Sequence, residues 1–404
     1  MKVLVVHNTY QRPGGEDVVF EQETRLLERR GHTVITYKRS NWEIDGYSGL
    51  RRASLVKQIV WSTETLQDFS RLLEQHKPDI VHVHNTFAMI SPSIYSACRA
   101  AHVPVVQTLH NYRLFCPAAT FFRNGQVCEE CVDHGLWRGV MHGCYRDSRS
   151  ATAAVALLLA VHRQRHTWNT EVTRYIALSE FSRRTFERSG LPPDKICVKP
   201  NFVYPDPGSN SSDLGEHVLF IGRLSPEKRV GTVLHAWTRL LSSIPLLVIG
   251  GGPERQHLET QVRTLGLSNI TFRGQQPREE IVAALRRARF LVFSSEWYEN
   301  FPVTLAESFA CGVPVICSRL GAMQEIVHDG YTGLHFTPGD PHDLAKKVEW
   351  AWNHPNEMKI MGRQARLEFE KKYTADENYI RLKRIYDSAI SDMQNTPQSD
   401  TMPR

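Results

Sequence analysis

The sequence predicts an α/β protein of two similar domains, each a parallel sheet covered by helices, and three observations carry that prediction. Short β-branched runs alternate with amphipathic helical stretches, the pattern of strands buried on both faces. That alternation runs to about residue 200 and starts afresh beyond residue 216. Between the two cycles, residues 200–216 hold three Pro, two Gly and three Ser without periodicity, the composition of a linker. At 404 residues and 41% hydrophobic content, the chain can bury two cores. The expected division is a first domain at 1–200, a linker at 201–216 and a second domain at 217–374.

In the first domain, strands are expected at 2–7, 33–37, 80–84, 103–109 and 174–178. Between the first two lies 16–30, whose Val18, Val19, Leu26 and Leu27 recur at helical spacing and stop at Gly31. The second domain offers strands at 218–221, 246–250, 270–273, 290–294 and 315–318. Helical pattern resumes at Pro341 and again over 375–393, a helix expected to pack back on the first domain. The polar tail 394–404 is expected to be disordered. The opening apolar run, Val3 to Val6, is too short for an export signal. The longest other run, 151–161, is about half of what crosses a bilayer. The expected location is cytoplasmic.

The net charge of +6 is uneven: residues 1–200 hold 26 Lys/Arg against 19 Asp/Glu, and the rest 23 against 24. Nine Arg and four acids fall between Arg138 and Arg188, around the apolar run 151–161. This suits a surface lying on anionic lipid at the inner face of a membrane, or equally a solvated Arg-rich helix packed on a core. No nucleic-acid motif accompanies the charge. Eight Cys in a chain without an export signal do not form a disulfide scaffold. Four of them cluster within an insertion at 115–146. Cys116, Cys128, Cys131 and Cys144 offer the ligand set of a structural zinc site, with unligated thiols or a redox pair as alternatives.

In open α/β sheets, ligands bind beyond the carboxyl ends of the strands. After the first strand, Gly14 and Gly15 lead straight into a helix, either to bring backbone N–H groups to an anion or to make a tight turn. His110 follows the fourth strand, and His82 and His84 share one face of the third. After 218–221 come Arg223 and Lys228, with the lysine expected in the first turn of the next helix, where a cation opposes the helix dipole unless an anion is bound. After 290–294 come Glu299, Asn300, Phe301 and Pro302, then a helix opening at Val303 and carrying Glu307. The two carboxylates suit the vicinal hydroxyls of a ribose or hexose. No Asp-x-Asp occurs in the chain, so a divalent ion on a diphosphate lacks its commonest holder. The Gly250-Gly251-Gly252-Pro253 run does not meet G-x-G-x-x-G and reads as a turn.

Together these loops resemble the family 4 retaining glycosyltransferases of the GT-B fold, over residues 1 to about 390. The resemblance is most specific in Gly222-Arg223-Leu224 with Lys228, Gly250 to Pro253, Phe272-Arg273-Gly274, Glu299 to Pro302 with Glu307, and the run Ala310 to Val315. Pro13-Gly14-Gly15-Glu16, Gly31-His32 and Thr108-Leu109-His110 add to it. Where the family usually has Asp after that histidine, this chain has Asn111. The resemblance implies two Rossmann-like domains facing across a cleft and a UDP- or GDP-sugar donor. It places Arg223 and Lys228 on the diphosphate, Glu307 on the ribose, and Glu299 with Asn300, Phe301, Pro302 and Val303 on the sugar. His110 would touch the transferred sugar, Gly274 would line the base pocket, and Gly14 and Gly15 would face the phosphate from the other domain. Catalytic roles fall to His110, Glu299, Lys228 and Arg223, with retention of configuration and no catalytic cofactor. A subset of the family carries a Cys-rich insertion similar to the one here.

The expected activity is metal-independent sugar transfer to a saccharide or lipid-linked acceptor in cell-surface polysaccharide or glycolipid assembly. The alternatives are a sugar-nucleotide epimerase of the same shape and a non-catalytic sugar-nucleotide-binding partner.

Overall fold

A computed structural model describes residues 1–11, 14–48, 54–209, 215–241 and 243–395. Arg12, Pro13, part of the linker (210–214) and nearly all of the tail (396–404) lie outside the described residues. The chain divides into two compact units. One comprises Met1–Phe121, Cys128–Lys199 and Asn378–Arg404; the other comprises Phe122–Val127 and Pro200–Glu377. The 115–146 insertion is therefore split, since its six residues Phe122–Val127 group with the second unit.

The first unit holds a six-stranded sheet of β1 (Lys2–Thr9), β2 (Thr33–Ser40), β3 (Ile80–Asn85), β4 (Val105–Thr108), β7 (Arg174–Ala177) and β8 (Ile196–Val198). Its order is β2-β1-β3-β4-β7-β8, with every pair parallel. Val3 to Val6 are fully buried at its centre, as a strand covered on both faces requires. The helix Gly15–Arg29 returns the chain from β1 to β2, and Val19, Leu26 and Leu27 form its buried stripe while Val18 faces solvent. The helix Ala375–Asn395 closes this unit with buried Leu382, Ile385, Tyr386 and Ala389, and Arg174 pairs with its Asp392 at 2.5 Å. A two-stranded hairpin, β5 (Phe122–Arg123) and β6 (Gln126–Val127), comes from the insertion.

The second unit holds β9 (His217–Ile221), β10 (Leu246–Ile249), β11 (Ile270–Gly274), β12 (Ala288–Phe293), β13 (Val315–Ser318) and β14 (Gly333–Phe336). The order is β11-β10-β9-β12-β13-β14, again all parallel. Counted within the unit this is 3-2-1-4-5-6, the Rossmann order. Its core joins Val218, Phe220, Val248, Phe290 and Ile316 to Trp237, Leu344 and Met358 from the covering helices.

Every strand expected from the sequence is present, and β8, β14 and the hairpin are additional. β8 is only three residues long, and β14, four residues long, starts with Gly333 and contains His335, so neither has an apolar run long enough to announce it. The apolar stretch 151–161 lies in the helix Arg149–Gln164, capped by the Ser148 side chain on the Ala151 N–H at 3.2 Å. Among the described residues, no helix is long and apolar enough to cross a membrane.

Candidate functional site

In each sheet the chain reverses its direction of winding at one point, between β9 and β12 in the second unit and between β1 and β3 in the first. A crevice opens at such a point because the flanking loops turn to opposite faces of the sheet. Apart from Gly274, which ends the edge strand β11, and the four clustered cysteines, the residues singled out from the sequence lie on elements at or next to these two points.

In the second unit, Gly222 to Lys228 follow β9. Gly250 and Gly252, after β10, must be glycines for steric reasons: a Cβ would stand 1.9 Å from the Gly222 carbonyl oxygen and 2.2 Å from that of Leu224, respectively. The approach lets the Leu224 N–H donate to the Gly251 carbonyl at 2.9 Å and the Glu254 N–H to the Leu224 carbonyl at 3.0 Å. The next loop joins through the Gly250 N–H, which donates to Gly274 at 2.8 Å. Gly274 itself has φ +72°, and a Cβ there would press to 2.7 Å from the Arg255 guanidinium. Three strand-end loops are thus locked backbone to backbone, fixing the floor on which Arg223 stands exposed.

Lys228 lies in a 3-10 turn, Pro226–Lys228, and the following helix begins only at Val230. The expectation that it sits in the first helical turn is corrected. Arg229, at φ +51°, intervenes and directs its guanidinium to Glu296 at 2.9 Å. Lys228 instead donates to Glu299 Oε1, and its ammonium lies 5.2 Å from the Phe293 ring centre and 5.6 Å from that of Trp297. The Ser295 hydroxyl donates to the same Glu299 oxygen at 2.8 Å. Beside this cluster, the Asn300 side-chain oxygen and the Trp297 indole nitrogen are buried without a hydrogen-bond partner, although such groups are nearly always satisfied. Phe301 is buried against Tyr373, and Pro302 caps the helix Val303–Ala310. Glu307 lies one turn inside that helix, where burial pushes its carboxyl up against the opposing pull of Arg278. Lys228, Ser295 and Glu299 are therefore joined into one polar group at the ends of β9 and β12, with Asn300 next to it in sequence and Glu307 farther on in the helix.

The first unit differs. Gly14 is extended and Gly15 opens the helix; neither has a positive φ, and a Cβ on either would meet nothing within 4 Å. A tight turn therefore does not explain this glycine pair. The Gly14 N–H is already used, donating to Asp17 at 2.6 Å. Burial works to raise the Asp17 carboxyl, but bonds from His7 (2.8 Å) and from Gly14 outweigh it and leave it low. Glu16 goes the other way: burial first, then the neighbouring Asp17, pushes it up to about 8, against the pull of the Asn111 amide donating at 3.1 Å. The amide at position 111 makes that donation, which an ionised Asp could not.

His110 meets His84 Nδ1 with its Nε2 at 2.9 Å, the rings stacked 5.1 Å apart. His82 and His84 do share one face of β3, and both are buried. Around them stand residues that local pattern did not reveal. His7 comes from β1, Glu23 from the first helix, Lys199 from beyond β8, and Tyr386 from the last helix. Lys199 pairs with Glu23 Oε1, both essentially fully buried. Tyr386 meets His82 Nδ1 at 2.7 Å, and Thr108 meets its Nε2 at 2.8 Å. Burial lowers His84 and His110 well below the ordinary histidine value, with neighbouring imidazoles and Lys199 adding to it, and brings His82 down to about 4.

Of the four clustered cysteines, Cys116 and Cys131 are buried and Cys128 and Cys144 half-buried. Burial, then the proximity of Cys116, Cys144 and Cys128, pushes the Cys131 thiol up to about 12. Among the described residues, the set of candidate metal ligands whose atoms all stand within 4.8 Å of one another is Glu23, His82 and His84; the four sulfurs are more widely spread. Arg163 and Arg165, counted with the basic stretch, lie over the rings of Phe115 and Trp61 at 5.3 and 4.6 Å.

Comparison with known proteins bears on the family and the fold. Residues 208–368 match the model for glycosyl transferases group 1, and residues 13–206 match that for glycosyltransferase family 4. The D-rhamnosyltransferase WbpZ of Pseudomonas aeruginosa is 31% identical over 159 residues, 39% of this chain and 41% of WbpZ. The phosphatidyl-myo-inositol mannosyltransferase of Mycobacterium leprae is 32% identical over 188 residues, 44% of this chain and 49% of that protein. The chain thus spans about half the length of the curated relatives it matches. Among solved structures, Anabaena HepE in complex with UDP and glucose superposes with a TM-score of 0.67 at 18% identity, covering 96% of this chain and 100% of HepE. Sucrose-phosphate synthase from Thermosynechococcus elongatus does so with 0.71 at 15%, covering 97% and 99%. With both units matched by the paired family models and the whole fold shared, the chain belongs to the family 4 glycosyltransferases and has their GT-B fold.

Proposed function

We propose that the chain transfers a sugar from a UDP- or GDP-sugar to a saccharide or lipid-linked acceptor in glycan assembly, with retention of configuration and without a catalytic metal ion. The observation that carries this reading is the polar group at the winding reversal of the second sheet. There Lys228 holds the Glu299 carboxylate, and Glu307 lies one turn into the next helix. Lys228 and exposed Arg223 supply positive charge for a departing diphosphate, which needs it more as the bond to the sugar breaks. Glu299, positioned by Lys228 and Ser295, keeps one carboxylate oxygen for sugar hydroxyls, and the unpaired Asn300 oxygen offers another acceptor. Glu307 receives the ribose hydroxyls. The resemblance assigns His110 to the transferred sugar, and HepE, bound to UDP and glucose, supports a nucleotide-sugar donor. The departing phosphate oxygen takes the acceptor proton in this scheme, so no protein nucleophile is required.

The test is nucleotide release from a panel of UDP-, GDP- and ADP-sugars, with and without EDTA, and anomeric analysis of the product. Turnover with one donor class, unchanged by EDTA and retaining configuration, is expected. Inversion, epimerised donor without transfer, or turnover abolished by EDTA and restored by magnesium or manganese would each reject the corresponding part.

Two further assignments belong to the same reading. Cys116, Cys128, Cys131 and Cys144 match the donor set of a structural zinc ion, which would draw their sulfurs together. About one zinc per chain is expected by elemental analysis, lost in Cys128→Ser/Cys131→Ser; folded protein without zinc removes the ion. The exposed Trp137, Met141 and Leu157, on two adjacent helices among the basic residues, suit an anionic membrane surface better than the ring-bound Arg163 and Arg165. Trp137→Ser with Met141→Ser should reduce co-sedimentation with phosphatidylglycerol vesicles.

A further inference from the structure

The buried residues behind His110 form a chain of hydrogen-bonding groups whose end is fixed by charge. Lys199 is a donor only, so its ammonium claims Glu23 Oε1. The other oxygen, Oε2, faces His84 Nε2 at 3.5 Å and His82 Nδ1 at 4.0 Å. His82 has both ring nitrogens engaged by hydroxyls, Tyr386 and Thr108, which donate or accept as the ring requires. His84 Nε2 and Glu23 Oε2 are buried and neither has a hydrogen-bond partner, so each is the nearest polar group available to the other. The carboxylate therefore selects the His84 tautomer that carries its proton on Nε2, because a lone pair turned toward a buried carboxylate is repelled.

That choice propagates. With Nε2 protonated, neutral His84 has a lone pair on Nδ1, and Nδ1 is the atom that meets His110 Nε2 at 2.9 Å. His110 must then donate from Nε2 and carry its own lone pair on Nδ1. Burial keeps both rings neutral, so each has one proton to place. A metal ion on Glu23, His82 and His84 is a poorer reading of the same groups, since Lys199 already supplies the compensating cation.

We propose that Glu23 is a positioning residue: anchored by Lys199 and acting through His84, it holds His110 in the Nε2–H tautomer, so that His110 Nδ1 is a hydrogen-bond acceptor. Its kinetic consequence rests on the proposed contact of His110 with the transferred sugar, whose hydroxyls would donate to that nitrogen; the tautomer itself does not.

Long-range ¹H–¹⁵N correlation spectra of the full chain labelled with ¹⁵N-histidine read the tautomers directly, with His84→Gln and His110→Gln spectra supplying the assignments. In the unsubstituted protein, His84 and His110 should both show the Nε2–H pattern; a Nδ1–H pattern at either overturns the proposal without any variant at position 23. Glu23→Gln makes a sharper demand. Lys199 must hold the new carbonyl oxygen, which turns the amide NH₂ toward His84, so both rings should invert to Nδ1–H. An unchanged pattern in a folded Glu23→Gln protein also overturns it. If that variant does not fold, Glu23→Gln/Lys199→Met, which leaves no buried charge unpaired, should lose the fixed pattern and show mixed tautomers at His110, whereas a retained single pattern counts against the relay. In transfer assays Glu23→Gln should lower kcat about tenfold with little change in donor KM, the effect of one misdirected hydrogen bond in the transition state. Inverted tautomers with unchanged kcat would sustain the relay and reject the role of His110 in transfer.

Discussion

The two sheets have the same number of parallel strands but place their polar groups differently. In the second unit, β9, β10 and β12 are apolar along nearly their whole length, and Lys228, Glu299 and Asn300 lie on loops beyond the strand ends. In the first unit, His7 and Asn8 lie within β1 and His82 and His84 within β3, all buried, with Glu23 and Lys199 packed against them. The second sheet is a scaffold that presents a site, whereas the first is partly built from its site. Mutation should therefore damage chemistry in one unit and both folding and chemistry in the other.

The largest expected effect tests that contrast. Lys199→Met leaves Glu23 charged, buried and unpaired, and should cost about 3–5 kcal/mol of stability in chemical denaturation. The same change at Lys228, whose partner Glu299 lies at a strand-end loop, should cost distinctly less. Equal losses would remove the distinction. For activity the order reverses: Lys228→Ala in folded protein should lower kcat by about 10²-fold or more, with a smaller change in donor affinity, because diphosphate charge grows as the bond breaks. An increase in KM alone would mean that Lys228 merely binds.

Glu307→Ala should weaken donor binding roughly tenfold, with kcat less affected. Since burial raises this carboxyl, the unsubstituted protein should begin to lose donor affinity, on acidification, at a higher pH than an ordinary glutamate at about 4.3 would give. Calorimetric titration across pH checks both. The remaining effect, on Glu16, is read as a pH slope. Between about 4.3 and about 8 the folded chain keeps a proton on Glu16 that the unfolded chain releases, so stability falls as pH rises through that window. Glu16→Gln should remove this part of the slope and raise Tm at pH 8, with little change at pH 4.

The candidate residues of the second unit were largely legible because Arg223, Lys228, Glu299 and Asn300 closely follow their strands and Glu307 lies in the helix that comes next, so that local motifs carry them. The turn around Lys228 escaped, since the left-handed Arg229 that delays the helix has no distinctive sequence signal. In the first unit, His82, His84 and His110 could be picked out by strand period and position. Glu23, Lys199 and Tyr386 could not: each looks like an ordinary helix or loop residue until the fold brings together positions as far apart as 82 and 386. His7 reads as the end of an apolar strand. A buried Lys–Glu pair has no periodicity of its own, and β8 and β14 are too short to announce themselves.

The helix Ala375–Asn395 gives the first unit an unusual birth order. During synthesis, residues 1–199 emerge long before Asn378, and the second unit's Pro200–Glu377 is made in between. At ordinary elongation rates the wait is on the order of ten seconds or more. Throughout it, the face that will receive Leu382, Ile385 and Tyr386 is bare, and His82 lacks the phenol that completes its hydrogen bonds. A helix made after the second unit is thus the one that completes the first.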